Sequence, residues 1–217
     1  PQMLAGDEVS ADGLTWKMTL RDGLLFHDGE RVTAKDCVAS LTRWSKRDGF
    51  GQRMASQLDA MTAPDDKTIL IRLKKPFPHM RFAIGLGSSY IMPQRIAETD
   101  AFKSISEVIG SGPFRFVQSE WVSGASAGYA KFDKYLPRNE PIDSYAGGKV
   151  VHFDRVEWKV MPDPSTKASA LQTGEVDWVD NPIFDLVPQL RKSPGVKVQV
   201  FDKLGVDDRT RAVTVAL

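Results

Sequence analysis

The sequence predicts an α/β fold, because segments with the periodicity of strands and of helices follow one another along the chain. Leu14, Trp16, Met18 and Leu20 alternate with polar residues, which is the pattern of a strand with one buried face. From residue 34 to 44 the apolar residues recur at helical spacing instead. Further segments of both kinds occur later in the chain, so strands and helices are expected throughout.

Two turns and a helix cap connect this first strand to the first helix. Gly23 and Gly29 supply the positive φ that tight turns require and that other residues resist. Thr33 is followed by Asp36 three residues later, which resembles a capping box and places an acid in the first helical turn. Residues 14–44 therefore predict a packed strand–turn–helix scaffold.

The next elements are predicted from the same periodicities. A charged loop over 45–51 is expected to end the first helix, with Phe50 held between two glycines. A short helix over 54–61 and a strand over 68–73 come next. The later predicted elements are helices over 79–86 and 94–102, strands over 113–117, 129–135 and 156–160, a helix between Asp163 and Gly174, a strand from 175, a helix over 182–192 and a strand over 196–200.

Composition and charge exclude several classes of protein. Of 217 residues, 29 are Lys or Arg and 28 are Asp or Glu, so the net charge of +1 gives no reason to expect nucleic acid or an anionic membrane as a partner. No apolar run approaches the length of a membrane span. Cys37 is the only cysteine and is expected to be a small buried residue. No signal peptide precedes Pro1, which is not evidence for the cytoplasm.

The sequence offers no recognisable catalytic or metal site. His27, His79 and His152 lie far apart, without the spacing that a zinc site needs, and no G-x-S-x-G elbow is present. His27 precedes Asp28 in a tight turn, where a hydrogen-bonded histidine is expected rather than a catalytic dyad. The sequence therefore predicts neither a cofactor nor a metal ion.

Five residues are candidates for contacting a small ligand. Ser88, Ser89 and Tyr90 lie in the loop GLGSSYIMP, where hydroxyl groups and an aromatic ring accompany glycines that let a ligand approach the backbone. Phe50 and Trp121 are aromatic residues in polar loops, whereas Trp16, Trp44 and Trp158 follow apolar periods and are expected in the core. The alternative is that all five candidates only cover the domain's own surface.

Three sequence blocks carry a family resemblance: WKMTLRDGLLFHDGERVTAKDCVASLTR from Trp16, VIGSGPFRF from Val108 and MPDPSTKASALQTGEVDW from Met161. In this order they resemble the family 5 extracytoplasmic solute-binding proteins, the peptide- and nickel-binding receptors of bacterial ABC importers. Two positions depart from the family pattern. Ser111 stands where threonine is usual, and Phe132 stands near the place of an asparagine.

The resemblance implies the two-lobed, type II fold of periplasmic binding proteins, with only most of the first lobe present. Residues 1–110 would form a first-lobe subdomain that contains the strand–turn–helix block. Residues 111–205 would form part of the main sheet of that lobe with its covering helices. Residues 206–217 stay unassigned and are interpreted as a truncated or frameshifted end, with a further strand as the alternative.

By the same resemblance, the function is that of an extracytoplasmic, monomeric substrate-binding component. It would capture a peptide or similar small polar solute and deliver it to the permease subunits of an ABC importer, without covalent chemistry. Nickel complexes, opines and sugars remain open as ligands. Two other classes also remain open: a hydrolase with its catalytic site outside this sequence, and a protein-interaction module.

Overall fold

A computed structural model describes residues 2–85, 88–142, 146–200 and 212–216. Contacts divide the chain into two compact units, one of residues 1–121 and 127–157 and the other of residues 122–126 and 158–217. These bounds differ from the division after residues 110 and 205 that the sequence suggests, and that division stays a prediction. Within the described ranges, no helix is long and apolar enough to cross a membrane.

The first unit contains a four-stranded sheet whose neighbouring strands are all antiparallel. Its order is β1 (Leu4–Val9), β2 (Thr15–Leu20), β4 (Thr68–Leu73) and β3 (Leu58–Thr62). The predicted strands over 14–20 and 68–73 are therefore confirmed. Alternate residues of the two central strands are buried: Trp16, Met18, Leu20, Ile69, Ile71 and Leu73.

Helix α1 (Ala34–Ser45) follows β2 as the sequence predicts. The Asp36 carboxylate accepts hydrogen bonds from the backbone N–H of Thr33, at 2.8 Å, and from its hydroxyl, at 2.7 Å. This confirms the expected cap, which satisfies polar groups that a helix end would leave unbonded. Cys37 is buried on the apolar side, and burial raises the pKa of its thiol to about 12, so a reactive thiolate is not formed near neutral pH.

Helix α2 (Gly49–Gln57) corrects two sequence predictions. The expected loop over 45–51 is interrupted because the Asp48 side chain accepts hydrogen bonds from the N–H groups of Phe50 and Gly51, which starts a helix. The helix predicted over 54–61 is also wrong, since its second half forms β3 and pairs with β4. Pairing with a neighbouring strand is a tertiary interaction that the local pattern does not reveal.

Two shorter helices follow, α3 (Met80–Gly85) and α4 (Gln94–Ala97). The first agrees with the predicted helix over 79–86, except that residue 86 lies outside the described residues. The second is much shorter than the predicted helix over 94–102. The buried guanidinium of Arg43 explains its early end. It donates to the backbone carbonyls of Thr99, Asp100 and Lys103 at 2.7–3.0 Å, so these carbonyls are held outside a helix.

His27 joins the first and second sequence blocks within the first unit. The N–H of Gly110 points to Nδ1 of His27 at 3.3 Å, and Nε2 lies 3.0 Å from the carbonyl oxygen of Gly112. The two bonds together require a neutral ring with its proton on Nε2. The ring also packs edge-on against Phe132, with centroids 5.1 Å apart. The expected hydrogen-bonded turn histidine is confirmed.

A three-stranded sheet has the order β5 (Phe114–Val122), β6 (Ser126–Lys131) and β7 (Arg155–Lys159). Strand β6 ends earlier than the predicted 129–135. Trp158 was expected in the core but is 59% exposed. The reason is that β7 is an edge strand, and alternation in sequence does not show whether a neighbouring layer covers either face.

The second unit contains α5 (Pro164–Gln172), β8 (Trp178–Asp180), α6 (Val187–Leu190), β9 (Val196–Val200) and β10 (Ala212–Ala216), with a 3₁₀ turn at Phe184–Leu186. Asp163 caps α5 through the N–H of Thr166, and Gly174 follows the helix with φ of 74°. The antiparallel sheet order is β8-β10-β9. Residues 212–216 thus adopt the alternative strand, whereas residues 201–211 and 217 lie outside the described residues.

Candidate functional site

The start of helix α2 is built around the carboxylate of Asp48. One oxygen accepts from the helix N–H groups, and the other accepts from the hydroxyl of Ser88 at 3.0 Å. The N–H of Gly51 is the main cause that lowers the pKa of Asp48; burial opposes this effect, and Ser88 and Phe50 lower the pKa further by smaller amounts. Asp48 is therefore ionised near neutral pH and joins the loop after α3 to the start of α2.

Ser88 and Ser89 are both bonded to their own unit. The hydroxyl of Ser88 accepts from the indole Nε1 of Trp44 at 3.2 Å while it donates to Asp48. The hydroxyl of Ser89 donates to the carbonyl of Ile84 near the end of α3. These bonds agree with the structural alternative for the two hydroxyls. A ligand that bonded to either donor would have to replace a bond already made.

The aromatic candidates differ in their surroundings. Phe50 lies in the first turn of α2, half-buried, and its ring meets Phe82 of α3 edge-on at 5.6 Å between centroids. Phe82 remains 57% exposed and Tyr90 is 72% exposed. Phe50, Ser88 and the Asp48 carboxylate therefore lie around one helix start, and Phe82 adds a ring that can face a ligand.

Trp121 is placed in a different part of the first unit. It lies on β5, where its ring packs against Phe116 with centroids 6.5 Å apart, and it remains 51% exposed. Its described contacts connect it to its own sheet rather than to the start of α2. The structure thus groups Phe50 with Ser88 and Ser89 near the ends of α2 and α3, but places Trp121 separately.

Phe82 is the residue that the sequence interpretation missed. Its neighbours Met80 and Ala83 are fully buried, so Phe82 lies off the buried side of a short helix. A large aromatic residue on the outer side of a helix is the signal that could have identified it. Its contact with Phe50 could not be read from sequence, because 32 positions separate the two residues.

The described residues offer little for catalysis or metal binding. They contain no group of three His, Cys, Asp or Glu side chains placed to hold a metal ion. Ser88 is bonded to Asp48 and Trp44, and the lowered pKa of Asp48 makes it a poor base for removing the serine proton. The arrangement of aromatic rings and hydroxyl groups suits noncovalent contact with a ligand.

Two cavities lie away from the five predicted residues. One, of about 240 Å³, is in the second unit and is lined mainly by apolar side chains with Lys167 and Asn181. The other, of about 440 Å³, follows the outer side of α1 in the first unit. Neither lining includes a predicted site residue.

Comparison with protein families gives a match along nearly all of the chain. The family described as "Bacterial extracellular solute-binding proteins, family 5 Middle" matches residues 1–215. The match contains the three sequence blocks and most of residues 206–217. It therefore extends into the segment that the blocks leave unassigned.

Similar curated proteins are longer than this chain. A probable peptide ABC transporter periplasmic-binding protein, y4tO of Sinorhizobium fredii, is 41% identical over 209 residues, which are 95% of this chain and 39% of that protein. The glutathione-binding protein GsiB of Pectobacterium atrosepticum is 30% identical over 190 residues, 86% of this chain and 34% of that protein. The chain thus spans about two fifths or less of the length of these relatives.

Solved structures give the same architecture. The periplasmic binding protein AgaA of A. tumefaciens R10, in complex with agropinic acid, superposes with a TM-score of 0.76 at 28% identity, over 91% of this chain and 38% of its own. DppA of Helicobacter pylori, in complex with the peptide STSA, gives a TM-score of 0.74 at 24% identity, over 92% and 41%. The second likeness supports the fold alone. The expected two-lobed class of fold, present in part, is confirmed.

Proposed function

Because this chain belongs to the bacterial extracellular solute-binding proteins of family 5, we propose that it acts as the substrate-binding component of an ABC importer. The family match over residues 1–215 carries this proposal. A peptide or a similar small polar solute is the proposed ligand, as the name of the Sinorhizobium relative suggests. The complex of AgaA with agropinic acid keeps opines as an alternative. The proposed location is extracytoplasmic, and the proposed partner is the permease.

The proposed activity is capture and release without chemical change. Binding proteins of this two-lobed class close around a ligand, and the binding energy comes from burying it and satisfying its polar groups. The described residues include aromatic faces at Phe50, Phe82 and Tyr90 that can contribute buried area. Covalent catalysis by Ser88 would need a base that removes the proton of its hydroxyl, whereas Asp48, which accepts that hydrogen bond, has a lowered pKa.

Calorimetry with a panel of di- and tripeptides, agropinic acid and a nickel–histidine complex tests the proposal. The full-length protein is expected to show saturable heat with one ligand class and to return the ligand unchanged by mass spectrometry. Residues 1–217 alone are expected to bind weakly, because a surface that covers one side of a ligand leaves its other polar groups in water. Turnover of a ligand, or no saturable heat across the panel, would count against the proposal.

The proposed ligand-facing residues are Tyr90, Phe50, Trp121, Ser88 and Ser89. Tyr90→Ala is expected to weaken binding by about 1–2 kcal/mol, the scale of a lost contact or hydrogen bond, while the free energy of unfolding changes little. Phe102→Ala is a matched control, since Phe102 is also 72% exposed in the first unit and is not a candidate. Equal affinities for the two variants would remove Tyr90 from the site.

Ser89→Ala separates the ligand-binding role from the structural one. The Ser89 hydroxyl already donates to the carbonyl of Ile84, so its removal should lower the free energy of unfolding by about 1 kcal/mol. A ligand role requires affinity to fall as well, measured at a temperature where the variant is fully folded. A change in stability without a change in affinity would make Ser89 purely structural.

A further inference from the structure

A groove on the outer side of α1 carries net positive charge, because Lys35, Arg43 and Lys46 in its lining outnumber the single carboxylate of Glu98. Lys35, Ala39, Thr42 and Lys46 lie along one stripe of the helix, because residues four, seven and eleven positions apart share a face. The two lysines are eleven residues apart, which is about 16 Å along a helix. On this stripe only Ala39 and Thr42 lie between them, so the middle of the groove is open to a partner.

The other walls of the groove contribute small side chains, one amide and one carboxylate. Ala63 follows the end of β3, and Ala97 and Glu98 lie at the end of α4. Glu98 is the one acid in the lining, and its carboxylate accepts from the side-chain amide of Gln94 at 2.6 Å. The groove thus has an apolar floor with a lysine at each end and holds about 440 Å³.

The two lysines of this surface have no ion-pair partner in the part of the chain that the structure describes. Lys35 and Lys46 form no ion pair there, although other lysines do, such as Lys17 with Glu8. Arg43, beneath the groove, donates to the neutral oxygens of residues 99, 100 and 103, so its positive charge persists. The C-terminal end of α1 opposes these charges by only about half a charge.

We propose that this groove docks an acidic, amphipathic segment of a partner protein, whose carboxylates meet Lys35 and Lys46 while its apolar side chains lie on Ala39 and Ala63. The groove is shallow, with exposed side chains along its rim, whereas a pocket for a small molecule buries most of its ligand. A chain segment uses such a surface well, because it spans both lysines at once. Under the proposed function the permease would supply this segment, but the chemistry of the groove stands without that assignment.

Binding of a labelled peptide to the full-length protein tests the proposal by fluorescence anisotropy. The probe is an amphipathic helical peptide with a pair of glutamates near each end, about 16 Å apart, and leucine and alanine between them. Saturable binding is expected at low salt and should weaken as salt increases, because screening acts on exposed charges. A peptide with glutamine in place of every glutamate should bind much more weakly.

Two kinds of variant distinguish binding at this groove from nonspecific electrostatic attraction. One reverses the charge of its lysines, and the other fills its floor. The double variant Lys35→Glu/Lys46→Glu should bind the acidic peptide about tenfold more weakly or worse, as expected for lost charge pairs at a rim. Lys74→Glu/Lys75→Glu makes the same change of charge at exposed lysines outside the groove and should have little effect. Ala39→Lys adds positive charge but fills the floor, so it should also weaken binding.

Four results would overturn the proposal. They are equal binding of the acidic and glutamine peptides, equal losses in the two double variants, tighter binding by Ala39→Lys, and lysine-dependent binding to phosphatidylserine vesicles that exceeds binding to the peptide. Circular dichroism of each variant establishes that it is folded. Ligand affinity in Lys35→Glu/Lys46→Glu should equal that of the unmodified protein, which separates a failure of docking from a failure of the proposed solute capture.

Discussion

The four-stranded sheet of the first unit and the small sheet of the second unit differ in how far their large apolar residues are buried. Among the described residues, sixteen buried side chains form one cluster in the first unit, including Trp16, Phe26 and Trp44. In the second unit the corresponding cluster has four buried members, Ala168, Leu171, Val179 and Leu190. Trp178, on β8 of the small sheet, remains 58% exposed, and Trp158, on β7 of the three-stranded sheet, remains 59% exposed.

The face of the sheet on which each side chain lies explains this difference. Trp16 lies on the face of β2 that faces the large core, whereas Trp178 lies on the face of β8 opposite to the buried Val179. Burial of an aromatic ring requires a neighbour above it, and an interior strand next to packed helices provides one. Similar alternating sequences therefore give a core residue in one place and an exposed residue in another.

Replacing Trp16 by alanine should give the largest effect. The ring is 6% exposed and the guanidinium of Arg81 lies 5.3 Å from its centroid, so truncation should lower the free energy of unfolding by about 3–5 kcal/mol. Urea unfolding measures the change. Trp178→Ala is the matched control on an edge strand and should stay within about 0.5 kcal/mol. A loss below about 1 kcal/mol for Trp16→Ala would contradict the contrast between the two sheets.

Replacing Leu171 by alanine tests the smaller core. Leu171 is 1% exposed, and its truncation should cost about 2–3 kcal/mol, the lower part of the range for buried leucine. Hydrogen exchange should then rise in α6 and β8, where its core partners Leu190 and Val179 lie, more than in β2 and β4. An equal rise in both sheets would mean that the two cores open as one.

The close approach of α1 and α2 can be tested at a single glycine. A Cβ on Gly51 would lie 2.7 Å from the Cα of Ser45 and 3.0 Å from the carbonyl oxygen of Trp44, so backbone would have to move. Gly51→Ala should therefore lower the free energy of unfolding by about 1–3 kcal/mol. A Cβ on Gly49 would meet nothing within 4 Å, so Gly49→Ala should be neutral or slightly stabilising. Similar Tm values for the two variants would contradict this packing.

Acidification should have the smallest effect, through His27. Burial is the main cause that lowers the pKa of this ring, and Arg115 lowers it further, against the carbonyl of Gly112 and the charge of Asp28. A lowered pKa in the folded state means that the unfolded chain binds the proton more tightly. The stability that the neutral His27 ring contributes is therefore present above the ordinary pKa of about 6.5. It is lost as pH falls through the pKa of the ring in the folded state.

Thermal unfolding between pH 8 and pH 5 measures this loss. His27→Gln should remove part of the pH dependence and should cost about 1 kcal/mol at pH 8, the scale of one hydrogen bond. His79→Gln, at an exposed histidine, is the control for the change of residue type. If the profile of His27→Gln matched that of the unmodified protein, His27 would not be the group that titrates.

For the candidate site, the sequence predicted a loop but not the hydrogen bonds and ring contacts that its surroundings form. Glycines and hydroxyl residues predicted the loop at 85–93, and its ligand role stays a prediction. Ser88 forms hydrogen bonds with Asp48 and Trp44, which lie 40 and 44 residues earlier in the chain. The pairing of Phe50 with Phe82 likewise depends on how two helices pack. Neither contact follows from a local pattern, because both are made only when the chain has folded.

The sequence by itself determined the strand over 15–20, the turns at Gly23 and Gly29, the cap of α1 and the family. These features depend on interactions within a few residues or on the order of the three sequence blocks, so they can be read along the chain. Tertiary structure alone decided that α2 starts at Gly49, that residues 58–62 form a strand and that Trp158 is exposed. The reason is that strand pairing and burial depend on neighbours distant in sequence, and the same local pattern is compatible with either outcome.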